Sequence, residues 1–311
     1  MTAEAQRQIY FKRFAANAVI YGLQSSPEKF ICPICYKRFN ADDCLTVNGR
    51  SVLTLAHVYP EELGCAMATL ACGGCNTALN RYDRYLILDH HISDNIASHK
   101  PFSVAGRCDD GYTFRAIASF DGTGFKLEIP QANNPKVIDA IKDNLGFQAH
   151  IDTGAREQYV HLGLLHAAHL LMFREFGYEY LFCWLGHWVR RRIMDCAIEK
   201  LLFPPVINFY GADGFPSDKI CKVLIVREPR EHRCIYAVLP APKGTDIVAR
   251  AVVLPVSSEL ESINALLRPQ QPGLVISFDT EPPHKRLANP QWKNHLWKSL
   301  QFNAQGNQEV G

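Results

Sequence analysis

Cys32-Pro33-Ile34-Cys35, then Leu53-Thr54-Leu55-Ala56-His57-Val58-Tyr59-Pro60, then Cys72-Gly73-Gly74-Cys75-Asn76 follow one another in the first quarter of this 311-residue chain, and the fold is read outward from them. A Cys-x-x-Cys turn aims two thiolates at one point, and two such turns complete a tetrahedral four-sulfur zinc site. Cys32, Cys35, Cys72 and Cys75 are therefore the expected ligands of a structural Zn²⁺. The 36 residues between the knuckles exceed the roughly 15–20 of a compact ribbon, which leaves room for a hairpin carrying His57. With all four positions filled by sulfur, such a site stabilises a small module and does not itself catalyse.

Around the knuckles, the apolar positions of Ile9 to Leu23 recur near helical spacing and predict a short amphipathic helix lidding the module. Asn48-Gly49 is a hairpin-type turn signal, and Ser51 to Ala56 reads as the strand that delivers His57. Glu61 to Thr69 reads as a loop, and Asn76 onward as a helix. On that helix Asn76, Asn80 and Asp83, spaced i, i+4, i+7, share one face.

The order of these elements resembles the HNH endonuclease family in its zinc-stapled form, over about Lys29 to Leu88. The resemblance implies a ββα-metal fold with one divalent ion, Mg²⁺ or Mn²⁺, distinct from the zinc and seated between hairpin and helix. It implies that His57 is the general base activating water against a phosphodiester, a task suited to a neutral imidazole. Asn76 would hold the ring or the hairpin in place. Asp83 is the first choice of metal ligand from the helix, Asn80 the second and His90 the third, with His57 facing the same ion. Ala56 stands where many family members carry a further ligand. Read without the resemblance, Asn76 equally suits a helix N-cap and Asp83 a solvated residue paired with a neighbouring arginine. Cys44 and Cys65 lie outside the knuckles and read as structural. A zinc deaminase is excluded, because His57-Val58-Tyr59 lacks the required His-x-Glu.

The composition, 47% hydrophobic and 21% charged, is that of a globular chain, and a net charge of only +2 requires any nucleic-acid footprint to be local. Eleven cysteines without a secretory leader or a membrane-length apolar run point to a reduced, cytoplasmic protein with no membrane partner. Past about residue 100 the pattern changes. A meander is predicted over Ser103 to Ile129, a helix over Asn133 to Gly146, and a long helical stretch over Arg156 to Leu202, broken near Gly177. Strands are predicted over Lys219 to Val226, Cys234 to Leu239, Ile247 to Val256 and Leu274 to Phe278.

The expected class is thus α+β. A ββα-metal zinc module occupies 1–100, and a larger mixed α/β domain over 101–311 positions substrate, senses a signal or mediates homo-oligomer assembly. Arg81 and Arg84, and the run Arg190-Arg191-Arg192, are candidate DNA-phosphate contacts, the run serving equally as a solvated helix face. His161, His166, His169 and His187 read as core or interface histidines, and the cationic aromatic tail Trp292 to Lys298 suits either stacking or docking. The function expected is metal-dependent DNA cleavage or nicking, in keeping with restriction or defence. The alternative is a degenerate module retained for binding DNA.

Overall fold

A computed structural model of the chain describes residues 1–108, 113–129, 149–152, 157–195, 206–210, 221–228, 234–241, 247–256, 275–278, 283–294 and 296. It is a mixed α+β structure with small antiparallel sheets. Helix α1 (Ala3–Ile20) is capped by Thr2, whose Oγ1 accepts from the Ala5 amide. The short pair β1 (Phe30–Ile31) and β2 (Arg38–Phe39) frames the first knuckle. Strands β3 (Leu53–His57) and β4 (Ala68–Cys72) form the hairpin, and α2 (Gly73–Leu79) follows β4 directly.

One expected helix is in fact two. The backbone departs from the helix at Asn80 and resumes as α3 (Asp83–Ala97), so Asn76, Asn80 and Asp83 do not share one continuous face. Asn80 and Tyr82 keep right-handed helical angles, but the bonds across the break tighten to three-residue steps, from the Tyr82 amide to the Leu79 carbonyl and from the Asp83 amide to the Asn80 carbonyl, with the Tyr82 side chain wholly buried.

The meander is present as β5 (Phe102–Cys108), β6 (Thr113–Phe120) and β7 (Phe125–Glu128), with β8 (Ala149–Asp152) added on the other edge of β5. The long helical stretch becomes α4 (Glu157–Phe176), α5 (Tyr178–Leu181) and α6 (Trp184–Asp195). The break falls at Gly177, with φ of 56°; a Cβ there would stand 2.3 Å from Asn17 Oδ1, so only glycine fits. That oxygen accepts from the Tyr178 amide at 2.9 Å, while Asn17 Nδ2 donates to the Leu287 carbonyl at 3.0 Å. A second sheet, ordered β13-β10-β11-β12-β9, comprises β9 (Val206–Tyr210), β10 (Lys222–Glu228), β11 (Cys234–Pro240), β12 (Ile247–Pro255) and β13 (Val275–Phe278). Strand β9 is not anticipated by the sequence reading. The short helix α7 (Pro283–Ala288) returns to α1. The expected helix over 133–146 lies outside the described residues, as do residues 295, 297 and 298 of the tail.

The middle of helix α4, residues 162–173, is mostly apolar and buried on all sides, as such a stretch must be. It packs on α1, where Phe14 stacks on Phe173 at 4.3 Å, and on β10 and β11. Gly163 lets it approach α3, since a Cβ there would meet Leu86 at 2.8 Å. One apolar core therefore runs from Tyr10 and Phe30 through Leu86 and Leu170 to Ile235 and Leu254. The cysteine knuckles rest on the same core. Among the described residues no helix is long and apolar enough to cross a membrane.

Candidate metal centre and adjoining cleft

The four knuckle cysteines converge. Their sulfurs all lie within 4.8 Å of one another, with Cys35 Sγ and Cys72 Sγ 3.8 Å apart. Four sulfurs each about 2.3 Å from a zinc in a tetrahedron stand about 3.8 Å apart, so the cluster fits the ion and can hold it. Hydrogen bonding from Cys32 lowers the Cys35 thiol to about 6, whereas hydrogen bonds to its three neighbours, Cys35 first, and burial push Cys32 up. Thiols this crowded cannot all ionise without a cation among them. Cys44 and Cys65 are outside the cluster: the Cys44 carbonyl accepts from Arg7 Nε at 2.9 Å, and Cys65 Sγ lies 3.3 Å from Cys221 Sγ.

The first knuckle is braced by the chain's second half. His169 Nε2 meets the Pro33 carbonyl at 3.1 Å, and its Nδ1 meets the Tyr180 hydroxyl at 2.8 Å. Arg190 donates through Nε to the Ile34 carbonyl, and its guanidinium lies over the Tyr36 ring at 4.2 Å. Tyr178 donates to the Ile31 carbonyl and accepts from its amide, fixing β1. Arg190 thus braces the knuckle. Arg192 lies over Trp188 at 3.6 Å, and Arg191 is exposed on the same helix. His166 is buried, and its Nε2 has no hydrogen-bond partner among the described residues. His187 meets the Tyr36 hydroxyl through Nδ1 at 3.1 Å, and His161 sits at the start of α4.

The hairpin register separates two places on the molecule. Leu53 pairs with Cys72 and His57 with Ala68, so His57 is four residues, roughly 13 Å at strand rise, from the cysteine end. There His57 opens into a cleft of about 700 Å³ lined also by Pro60, Glu61, Glu62, Asn80, Asp83 and Arg84. Strand alternation turns Ala56, itself fully buried, to the face opposite His57, and it is not among the residues lining this cleft. The carboxylates come instead from the turn after β3. His57 Nε2 is 3.4 Å from Glu61 Oε2, and burial, with the Glu62 charge adding to it, pushes the Asp83 carboxyl up to about 7.

Glu61 and Glu62 are the residues the sequence reading missed. The available signal was two consecutive acids directly after Pro60, which precedes a 3-10 turn over Glu61–Leu63 that places both acids in the lining of the cleft. Asn76 does not line the cleft; its Nδ2 donates to the Leu55 carbonyl at 3.4 Å, tying α2 to the strand two residues before His57. It is no N-cap either, since Cys72 occupies that position. His90 is buried, its Nε2 bonded to the Tyr59 hydroxyl at 2.7 Å, and is not among the cleft residues.

Oxygen ligands from Asp83, Asn80 and Glu62 suit a hard cation such as Mg²⁺ or Mn²⁺. Among the described residues, however, only the cysteines bring three or more ligand atoms within 4.8 Å. An ion in the cleft would therefore keep several waters, as Mg²⁺ commonly does. No family model, no curated protein and no solved structure matches this chain.

Proposed function

We propose that the protein is a metal-dependent endonuclease of HNH type, in which the cysteine cluster holds a structural zinc and the His57 cleft hydrolyses DNA phosphodiester bonds. The observation that carries this reading is the meeting of His57, from the end of β3, with Asn80 and Asp83, from the break between α2 and α3, in one cleft beside a stapled hairpin. His57 accepts the proton of the attacking water, and Glu61 lies close enough to the ring to stabilise the imidazolium that results. Asp83 and Asn80, with Glu62, would hold the divalent ion, which when bound neutralises charge on the phosphate and its departing oxygen. Arg84 lines the same cleft and offers a cation for the phosphate backbone. Asn76 keeps the His57 strand seated on α2.

A degenerate, DNA-binding module is the second reading, and the sparse preformed ligand set of the cleft favours it. Supercoiled plasmid incubated with zinc-loaded protein and Mg²⁺ or Mn²⁺ separates the two. Nicked or linear product in the presence of either ion, lost on chelation, is expected. Intact plasmid with both ions, retarded in a gel, would establish the binding module instead.

A further inference from the structure

The His57 cleft does not end at Asn80 and Arg84. Both residues also line a second cleft of about 700 Å³, whose other walls are Thr77, Arg81, Tyr82, Tyr85 and Tyr159. The two clefts differ in chemistry. The first carries three carboxylates, Glu61, Glu62 and Asp83, whereas the second contains two guanidiniums and three tyrosines and no acid. The rings of Tyr85 and Tyr159 stack at 4.6 Å with an interplanar angle of 23°, and both side chains are half-buried. Tyr82 stacks behind Tyr159 at 6.3 Å and is wholly buried, so the platform is anchored in the core. The Arg81 guanidinium lies over the Tyr82 ring at 4.9 Å and donates to its hydroxyl at 2.9 Å, which holds a positive charge at the rim.

An aromatic stack flanked by the held Arg81 guanidinium and the exposed Arg84 matches a ligand with a flat base and a phosphate next to each other. Resting on the nuclease reading above, we infer that this second cleft is a nucleotide subsite that takes one unpaired DNA base onto the Tyr85–Tyr159 stack, with its phosphate between Arg81 and Arg84. A base in a duplex is already stacked on both faces, so only a single-stranded or extruded nucleotide can use the platform. Because Asn80 and Arg84 belong to both clefts, a strand leaving the tyrosine stack passes directly into the His57 cleft. Tyr159 belongs to α4, so the chain's second half contributes to substrate selection and not only to bracing the knuckle.

The test is fluorescence anisotropy with a labelled single-stranded oligodeoxynucleotide and with the duplex of the same sequence, using zinc-loaded His57→Ala protein without added Mg²⁺ or Mn²⁺. The single strand is expected to bind more tightly than the duplex. Tyr85→Ala is expected to weaken single-strand binding about tenfold, within the range measured for loss of one base–aromatic stack, and Tyr85→Phe to restore it. Zinc content and circular dichroism matching the parent show that a variant has folded, and Arg81→Ala, at an exposed position, provides a second route to the same loss. Equal binding of both forms, unchanged by Tyr85→Ala and Arg81→Ala, overturns the subsite. The nuclease reading fails separately: tyrosine-dependent binding with no plasmid cleavage by wild type leaves the subsite standing, and cleavage undiminished by Tyr85→Ala removes the subsite alone.

Discussion

Nε2 of His57 stands 3.4 Å from Oε2 of Glu61, four residues further along the chain, and both side chains are substantially exposed, at 40% and 71%. Even with the imidazole protonated, a pair this exposed contributes only about 0–1 kcal/mol. Glu61→Gln should therefore reduce the nicking rate by no more than about fivefold, consistent with a supporting role under that ceiling. Initial rates from pH 5.5 to 8.5 provide the check. A loss as deep as that of His57→Ala would instead make Glu61 a metal ligand or the base.

Asp83 titrates in a direction that can be followed calorimetrically. Its carboxyl is raised from 3.8 to about 7, by burial first and by Glu62 second. A raised carboxyl favours the fold below the unfolded value, and this contribution is lost as pH climbs from about 4 to about 7. At pH 8 the metal-free protein carries the full penalty, so Asp83→Asn should stabilise it by about 2–4 kcal/mol there and by almost nothing at pH 4. Millimolar Mn²⁺ should raise the melting temperature of wild type at pH 8 and leave Asp83→Asn unmoved. Equal Mn²⁺ stabilisation of both proteins would remove Asp83 from the ligand set.

Zinc should be present at one ion per chain and be independent of the cysteines outside the cluster. Cys65→Ser, at a thiol 3.3 Å from Cys221 and outside the four-sulfur group, is expected to retain the metal, whereas Cys35→Ser loses it together with much of the cooperative melt. Arg190→Ala removes the brace on the Ile34 carbonyl and should weaken zinc binding about tenfold or more, the usual effect of losing an outer-shell partner. Competition with a chromogenic chelator measures all three. Full zinc retention in Cys35→Ser would contradict the assignment.

Acid sensitivity should come in part from histidines held neutral inside the fold. Burial lowers His166 from 6.5 to about 3, and lowers His90 to about 4. A depressed histidine stabilises fully above its unfolded value, and that stability is lost as pH falls from about 6.5 toward the folded value. His166→Leu removes one such group and a nitrogen without a hydrogen-bond partner among the described residues, so the decline in melting temperature between pH 7 and 4.5 should become shallower without loss at pH 7.5. An unchanged slope would show that His166 accepts its proton in the folded state.

The parts of the fold legible in the sequence were those set by local rules. The paired knuckles, the strand ending at His57, the meander after residue 102 and the glycine break at 177 all follow from spacing, alternation or backbone permission. What escaped was decided by tertiary packing. The helical pattern continues through Asn80 to Tyr82 without an obvious breaker, yet the bonding tightens to three-residue steps there, Tyr82 is wholly buried, and Asp83 opens α3. The roles of Arg190 and His169 were likewise invisible, because their partners, the Ile34 and Pro33 carbonyls, lie 156 and 136 residues away. Glu61 and Glu62 were within reach of the sequence reading, since two consecutive acids stand four and five residues after His57, and Glu61 meets its ring.

The central claim is that chemistry occurs at His57 and not at the cysteine cluster, and the most direct measurement compares plasmid nicking by wild type and His57→Ala, each carrying one zinc, with saturating Mn²⁺. Removal of a general base should lower the rate by about 10²–10⁴-fold while leaving the zinc and the melting temperature in place. Equal rates for the two proteins would contradict the account.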